Sequence, residues 1–295
     1  MRGGTTFLSD ILQQHADAVY FHEPIYLLQW LNMTANMQEV EYLLNCHFYQ
    51  LNRDVFYSLA RDLRISRKTQ NFSRCMKQAF GNEHALDWCL PLLASVCNQS
   101  SLRIVKELRL HNNDTELLLR KYPTFRLIHL VRDPRAVFFS RLELRRSYKI
   151  QQNGIEESEL CALMLSDMVD SVRLQALYPN RVKYIQYETL AKHTINQTHD
   201  LYKFLNRSPT ADILTYVRSI TSQTNVKVRK AHRFLTRRSN SSSVVDRWRV
   251  SANYQRVKVI DDICKHVYSR LGYRAIDNET MLRDVKIPLT IPIER

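Results

Sequence analysis

Two short stretches of this chain combine glycine, hydroxyl and arginine as an oxyanion site requires. The first is Met1-Arg2-Gly3-Gly4-Thr5-Thr6-Phe7, a glycine pair with a basic residue before it and two hydroxyls after it. Glycines let backbone amides approach an oxyanion closely, and hydroxyls at a helix start add donors. The second is Arg132-Asp133-Pro134-Arg135, followed by Ser140. Arg132 brings a fixed cation to the lip of a site, and Ser140 returns to the same side after about two helical turns. Neither stretch is a Walker loop, since GxxxxGK[ST] spacing is absent and no GxGxxG occurs. Two further residues carry proton or charge chemistry. Glu23, between His22 and Pro24, ends an apolar run and is placed to accept a proton from a hydroxyl, with His22 as the rival base. Pro24 is expected to keep Glu23 extended. Lys106 interrupts an otherwise apolar run, where an ammonium needs an anion.

The elements that must hold these residues follow from the pattern around them. Leu127, Ile128, Leu130 and Val131 predict a strand buried in a parallel sheet. It ends at Arg132, Asp133 fits a helix N-cap, Pro134 fits the first helical turn, and Ala136, Val137, Ser140 and Arg141 continue at helical spacing. Phe7, Leu8, Ile11 and Leu12 predict a helix directly after the glycine pair. Ala18–Phe21, Leu102–Leu108 and Val182–Tyr187 read as further strands. Helices are predicted over Met37–Leu51, Asp114–Tyr122, Leu160–Leu177 and Val257–Leu271, the last capped by Gly272. This alternation predicts an α/β fold, a P-loop-like open parallel sheet flanked by helices, in which anions bind at the carboxyl ends of strands. A phosphate loop of this kind follows a strand, and none precedes Arg2, so the reading expects a first strand missing from the chain, an N-terminal truncation.

The 295 residues and 44% hydrophobic content suit one domain spanning residues 1–295. Residues 61–101 mix charge, cysteines and sequons without a clear period, and are expected to be a variable insertion that shapes the acceptor side. Arg229–Ser243 is basic and serine-rich, either a solvated loop or a flap. A formal net charge of +14 favours anionic ligands without choosing among nucleotide, acidic glycan, nucleic acid and membrane surface. No nucleic-acid signature accompanies it. Six cysteines lack the spacing of a zinc site, so disulfides are expected, with Cys89 and Cys97 near each other. Sequons at Asn32, Asn71, Asn98, Asn113, Asn196, Asn240 and Asn278 point to a lumenal setting, and Asn206 is discounted for its Ser208-Pro209 context. No run of about eighteen apolar residues occurs.

In order and flanking sequence, the two anion motifs resemble those of the Golgi carbohydrate 6-O-sulfotransferases, the galactose, N-acetylglucosamine and N-acetylgalactosamine family. Arg2–Phe7 matches that family's loop for the 5′-phosphosulfate of 3′-phosphoadenosine 5′-phosphosulfate (PAPS), and Arg132–Ser140 its segment for the 3′-phosphate. His22-Glu23-Pro24 with Trp30, Ile104–Arg109, Tyr187–Leu190, Trp248-Arg249 and Leu271–Arg274 extend the match over nearly the whole chain, most weakly between about Asn32 and Ser101. The resemblance implies a sulfotransferase fold, PAPS as co-substrate, no metal and a glycan acceptor of glycosaminoglycan, keratan or N-glycan type. It also implies a type II anchor upstream and the lumenal side of the Golgi membrane. Catalysis would fall to Glu23, Arg2 and Lys106, whose ammonium would meet a neighbouring carboxylate, the acceptor or the sulfonate. Donor binding would fall to Arg2, Gly3, Gly4, Thr5, Thr6, Phe7, Arg132, Asp133, Pro134, Arg135 and Ser140. The alternatives are another phosphate-handling nucleotide enzyme, such as a kinase, and an inactive sulfotransferase scaffold that binds acidic glycan.

Overall fold

The structure is a computed structural model that describes residues 3–28, 33–61, 66–148, 157–221 and 244–292. Arg2, Trp30 and the basic stretch Arg229–Ser243 lie outside the described residues. The chain divides into two compact units, Thr6–Pro123 and Met1–Thr5 with Thr124–Arg295. Helix α1 (Thr5–Leu12) starts directly after the glycine pair, as its apolar spacing requires.

In the unit Thr6–Pro123, β1 (Ala18–His22) and β2 (Leu102–Lys106) pair in parallel, with Ala18 opposite Leu102 and His22 opposite Lys106. Every residue of β1 is buried, which suits its run of Ala, Val, Tyr and Phe. The register sets His22 and Lys106 side by side at the ends of their strands. Helices α2 (Met33–Leu44), α3 (Arg53–Arg61), α4 (Gln70–Gln78), α5 (Ala85–Asn98) and α6 (Glu116–Lys121) complete the unit.

Residues 66–101 are thus more regular than their sequence suggests. Helix α5 buries Ala85, Cys89, Leu93 and Cys97, one residue per turn, and keeps Pro91 on its exposed side. Cys89 and Cys97 share that face, but each bonds elsewhere, Cys89 to Cys75 and Cys97 to Cys46. The Cys75–Cys89 bridge closes a separation of 14 residues. Chain entropy alone makes a loop of that size worth on the order of 3 kcal/mol.

In the other unit, β3 (Leu127–Val131) and β4 (Val182–Gln186) pair in parallel, with Leu127 opposite Val182 and Val131 opposite Gln186. Helices α7 (Pro134–Tyr148) and α8 (Glu157–Leu177) lie between these strands in sequence. After β4 come α9 (Tyr187–Lys192), α10 (Thr194–Phe204), α11 (Ala211–Thr221), α12 (Arg247–Ser251), α13 (Tyr254–Leu271) and α14 (Glu279–Arg283). Asn253 caps α13 by accepting from Arg256 N, and Gly272 ends it in the left-handed conformation, φ 73°. The Cys161–Cys264 disulfide joins α8 to α13 inside a core that includes Val131, Met168, Val267 and Leu271. Among the described residues, no helix is long and apolar enough to cross a membrane.

Candidate active site

The turn after β3 is built as its residue types dictate. Asp133 is the N-cap, its Oδ1 accepting from Arg135 N at 2.9 Å, and Pro134 is the first residue of α7, where no amide is needed. Because Val131 pairs with Gln186, the residues that follow each strand continue side by side. Arg132 stacks on the ring of Tyr187, its guanidinium carbon 4.7 Å from the ring centroid. Asp133 N donates to Glu188 Oε1 at 3.1 Å, and Tyr273 Oη donates to the other oxygen of that carboxylate at 2.7 Å. Burial pushes the Glu188 carboxyl above its usual range, Asp133 adds to this, and Arg132 opposes it.

Tyr187 also explains the glycine pair. Gly4 has φ 87°, and a Cβ at that position would overlap the Tyr187 ring. A single aromatic ring therefore stands against both Gly4 and Arg132, within one unit. Thr5 and Ser140 are half-buried there, and Gly3 has open space about it. Thr6 and Phe7 continue into α1, with Phe7 buried.

The side chains of Asp133 and Arg135 bond within the fold around this turn. Arg135 is fully buried. Its Nε and Nη2 donate to the two oxygens of Asp133 at 2.9 Å each, Nη1 donates to Asp261 at 3.1 Å, and Nη2 also reaches Arg274 O at 2.9 Å. Asp261 in turn accepts from Tyr268 Oη and Ile276 N. Every nitrogen of the guanidinium is engaged, and the aromatic rings of Trp248 and Tyr268 flank it.

A second cluster of charge occupies the ends of β1 and β2. Glu23 is held in the left-handed region at φ 42°, so the extended conformation expected from Pro24 is not adopted. Three contacts outweigh that local preference: Glu23 N donates to Lys106 O at 2.9 Å, and the carboxylate is gripped from two sides. Lys106 Nζ donates to Oε1, and Arg109 Nη1 donates to Oε2 at 3.1 Å. Such a backbone costs about 1–3 kcal/mol and occurs where surrounding structure over-determines it. Burial opposes ionisation of Glu23, but Lys106, His22 and Arg109 outweigh it and hold the carboxyl down at about 2. Burial also lowers the pKa of the Lys106 ammonium, with Glu23 partly offsetting this. The anion that a lysine in this strand demands is thus Glu23. His22, the rival base, bonds Tyr20 Oη through Nδ1 at 2.8 Å, and its Nε2 is 3.7 Å from Glu23 Oε1.

Tyr187, Glu188, Glu107 and Arg109 were not singled out as site residues by their sequence pattern. The signal lies in strand register: once β3 is paired with β4, and β1 with β2, these residues fall beside Arg132, Asp133 and Glu23.

One unit thus packs a glycine turn and an arginine on one tyrosine, and the other pairs a carboxylate with a lysine at its strand ends. The family model described as "Sulfotransferase family" matches residues 1–212, and the chain belongs to that family. Among similar proteins, carbohydrate sulfotransferase 5 of Mus musculus is 26% identical over 99% of this chain and 83% of its own length. Carbohydrate sulfotransferase 1 of Danio rerio is 24% identical over 98% of this chain and 79% of its own. Carbohydrate sulfotransferase 6 of Homo sapiens is 24% identical over 99% of this chain and 83% of its own.

Proposed function

We propose that this protein moves a sulfuryl group from PAPS to a sugar hydroxyl of a glycan, the 6-hydroxyl of galactose, N-acetylglucosamine or N-acetylgalactosamine. The observation that carries this reading is the joint packing of Gly4 and Arg132 on Tyr187, which suits a donor bearing phosphate at both its 5′ and 3′ ends. Arg2 and the amides of Gly3–Thr6 stabilise charge growing on the 5′-phosphate as it leaves. Arg132 and Ser140 bind the 3′-phosphate, which separates this donor from ATP. The two units act as one sulfotransferase domain, on the lumenal side of the Golgi membrane, where the three disulfides and the sequons have their natural setting.

The chemistry is an in-line displacement in which the protein chiefly positions reactants and balances charge, as in phosphoryl transfer. The acceptor oxygen forms a bond to sulfur, the bond from sulfur to the 5′-phosphate oxygen breaks, and adenosine 3′,5′-bisphosphate departs with that electron pair. The hydroxyl proton passes to Glu23, and Lys106 serves the sulfuryl oxygens.

Transfer of labelled sulfate from PAPS to a panel of keratan, chondroitin and N-glycan acceptors tests the reading. Incorporation into at least one acceptor class supports it. Donor binding with no transfer to any acceptor would favour the inactive glycan-binding scaffold instead.

A further inference from the structure

The carboxylate at the centre of the second cluster is itself anchored by another. Glu107 has almost no exposed surface and accepts three hydrogen bonds: from Ile25 N at 3.3 Å, from Leu108 N at 2.7 Å and from Arg109 Nη1 at 2.8 Å. The first reaches across to the residue two beyond Glu23, and the third fixes the guanidinium that holds Glu23 Oε2. Arg109 is further confined by Tyr26, whose ring centroid lies 4.6 Å from its guanidinium carbon. Tyr26 N returns to Glu23 O at 3.1 Å, closing the strained turn. Placing a buried carboxylate beside another of the same charge is unfavourable, and burial pushes the Glu107 carboxyl upward. Two of its bonds satisfy backbone amides, and the third fixes Arg109.

We infer that Glu107 and Arg109 form a positioning pair that pins Glu23 through Oε2, so that Oε1, bonded by Lys106 in this structure, takes the acceptor's proton once Lys106 turns to the sulfuryl oxygens. The inference rests on the reading of Glu23 as the base. Lys106 meets Oε1 and Arg109 meets Oε2, so the two cations are not interchangeable. When Lys106 serves the sulfuryl oxygens, Arg109 is the cation that keeps Glu23 ionised and aimed. Among the described residues, the charged or titratable groups facing Glu23 are His22 from β1, Lys106 and Glu107 from β2 and its extension, and Arg109.

The test is turnover and donor KM for wild type, Arg109→Gln, Glu107→Gln and Glu23→Gln, with the unfolding midpoint measured on each preparation. Arg109→Gln removes the contact that aims Oε2, and kcat is expected to fall about tenfold while donor KM stays within about twofold. Glu107→Gln keeps the size of the anchor but loosens Arg109, and kcat is expected to fall about tenfold while donor KM stays within about twofold. An unchanged kcat in Arg109→Gln alongside a lower unfolding midpoint assigns Arg109 to stability alone and overturns the inference. Should Arg109→Gln fail to fold, Glu107→Gln decides, since unchanged kcat there overturns the inference equally. Glu23→Gln separates the two levels: retained turnover overturns the base reading itself, whereas lost turnover with unaltered Arg109 and Glu107 variants overturns only the positioning pair.

Discussion

Around Arg135, two carboxylates, a carbonyl and two aromatic rings enclose a guanidinium so completely that no donor remains for anything outside the fold. Around Glu23, two cations and a second carboxylate converge on a backbone held at φ 42°, and the side chains keep some exposure. Both clusters use arginine against carboxylates. The first is closed on itself and sits on relaxed helix-capping geometry; the second maintains a strained turn and crowds like charges. Closure without strain is what a framework needs, and strain with residual access is what a reacting group needs. Arg135 thus holds the Arg132 turn, and the proposed role of Glu23 as base fits its strained, partly accessible place, although both belong to motifs that read as functional in sequence.

The largest effect that would test this contrast is on stability. Arg135→Ala leaves Asp133 and Asp261 buried without their cation, and breaking such a pair costs about 3–5 kcal/mol. Urea unfolding of wild type and variant should reveal that loss. A change under about 1 kcal/mol would mean that the closed network is not the framework described here.

Glu23→Gln is expected to lower turnover by about 10²- to 10⁴-fold, with donor affinity nearly unchanged. Isothermal titration with adenosine 3′,5′-bisphosphate and a turnover assay on the same preparation measure both. If affinity and stability fell together while turnover per bound donor held, Glu23 would be a structural partner of Lys106 and Arg109, and the contrast with Arg135 would collapse.

A smaller effect concerns His129, whose Nδ1 lies 2.7 Å from Ser171 Oγ beneath the same sheet pair. Burial pulls its imidazole down to about 4. The unfolded chain takes up this proton near pH 6.5, whereas the folded chain resists it until about pH 4. Stability from this group is therefore intact above pH 6.5 and falls as pH drops through that window, by on the order of 3 kcal/mol at its lower end. The difference between wild type and His129→Gln in urea unfolding at pH 7 and pH 4.5 should narrow by that mechanism. A difference independent of pH would contradict it.

Much of this fold is legible in the sequence where one local rule dominates. Leu127–Val131 followed by Asp133 and Pro134 forms the strand, cap and helix that its residues dictate, and Gly272 ends α13 as a left-handed cap. Local rules lose where distant groups intervene. Pro24 biases Glu23 toward extended backbone, but the hydrogen bonds from Lys106 and Arg109, more than eighty residues away, hold it elsewhere. Ala85, Cys89, Leu93 and Cys97 recur every fourth residue, a helical signal masked by Pro91 and by the charge around it. Arg135 stands two residues after the cap and looks as exposed in sequence as Arg132. Only the return of α13, with Asp261 and Tyr268, decides that it is buried.

The central claim is that Arg132 reads the donor's 3′-phosphate from the turn that Arg135 holds. Its most direct test compares Arg132→Ala with wild type in binding adenosine 3′,5′-bisphosphate and adenosine 5′-phosphosulfate, which lacks the 3′-phosphate. The account predicts a loss of about 1.5–3 kcal/mol for the bisphosphate and little change for the phosphosulfate. An equal loss for both ligands would contradict it.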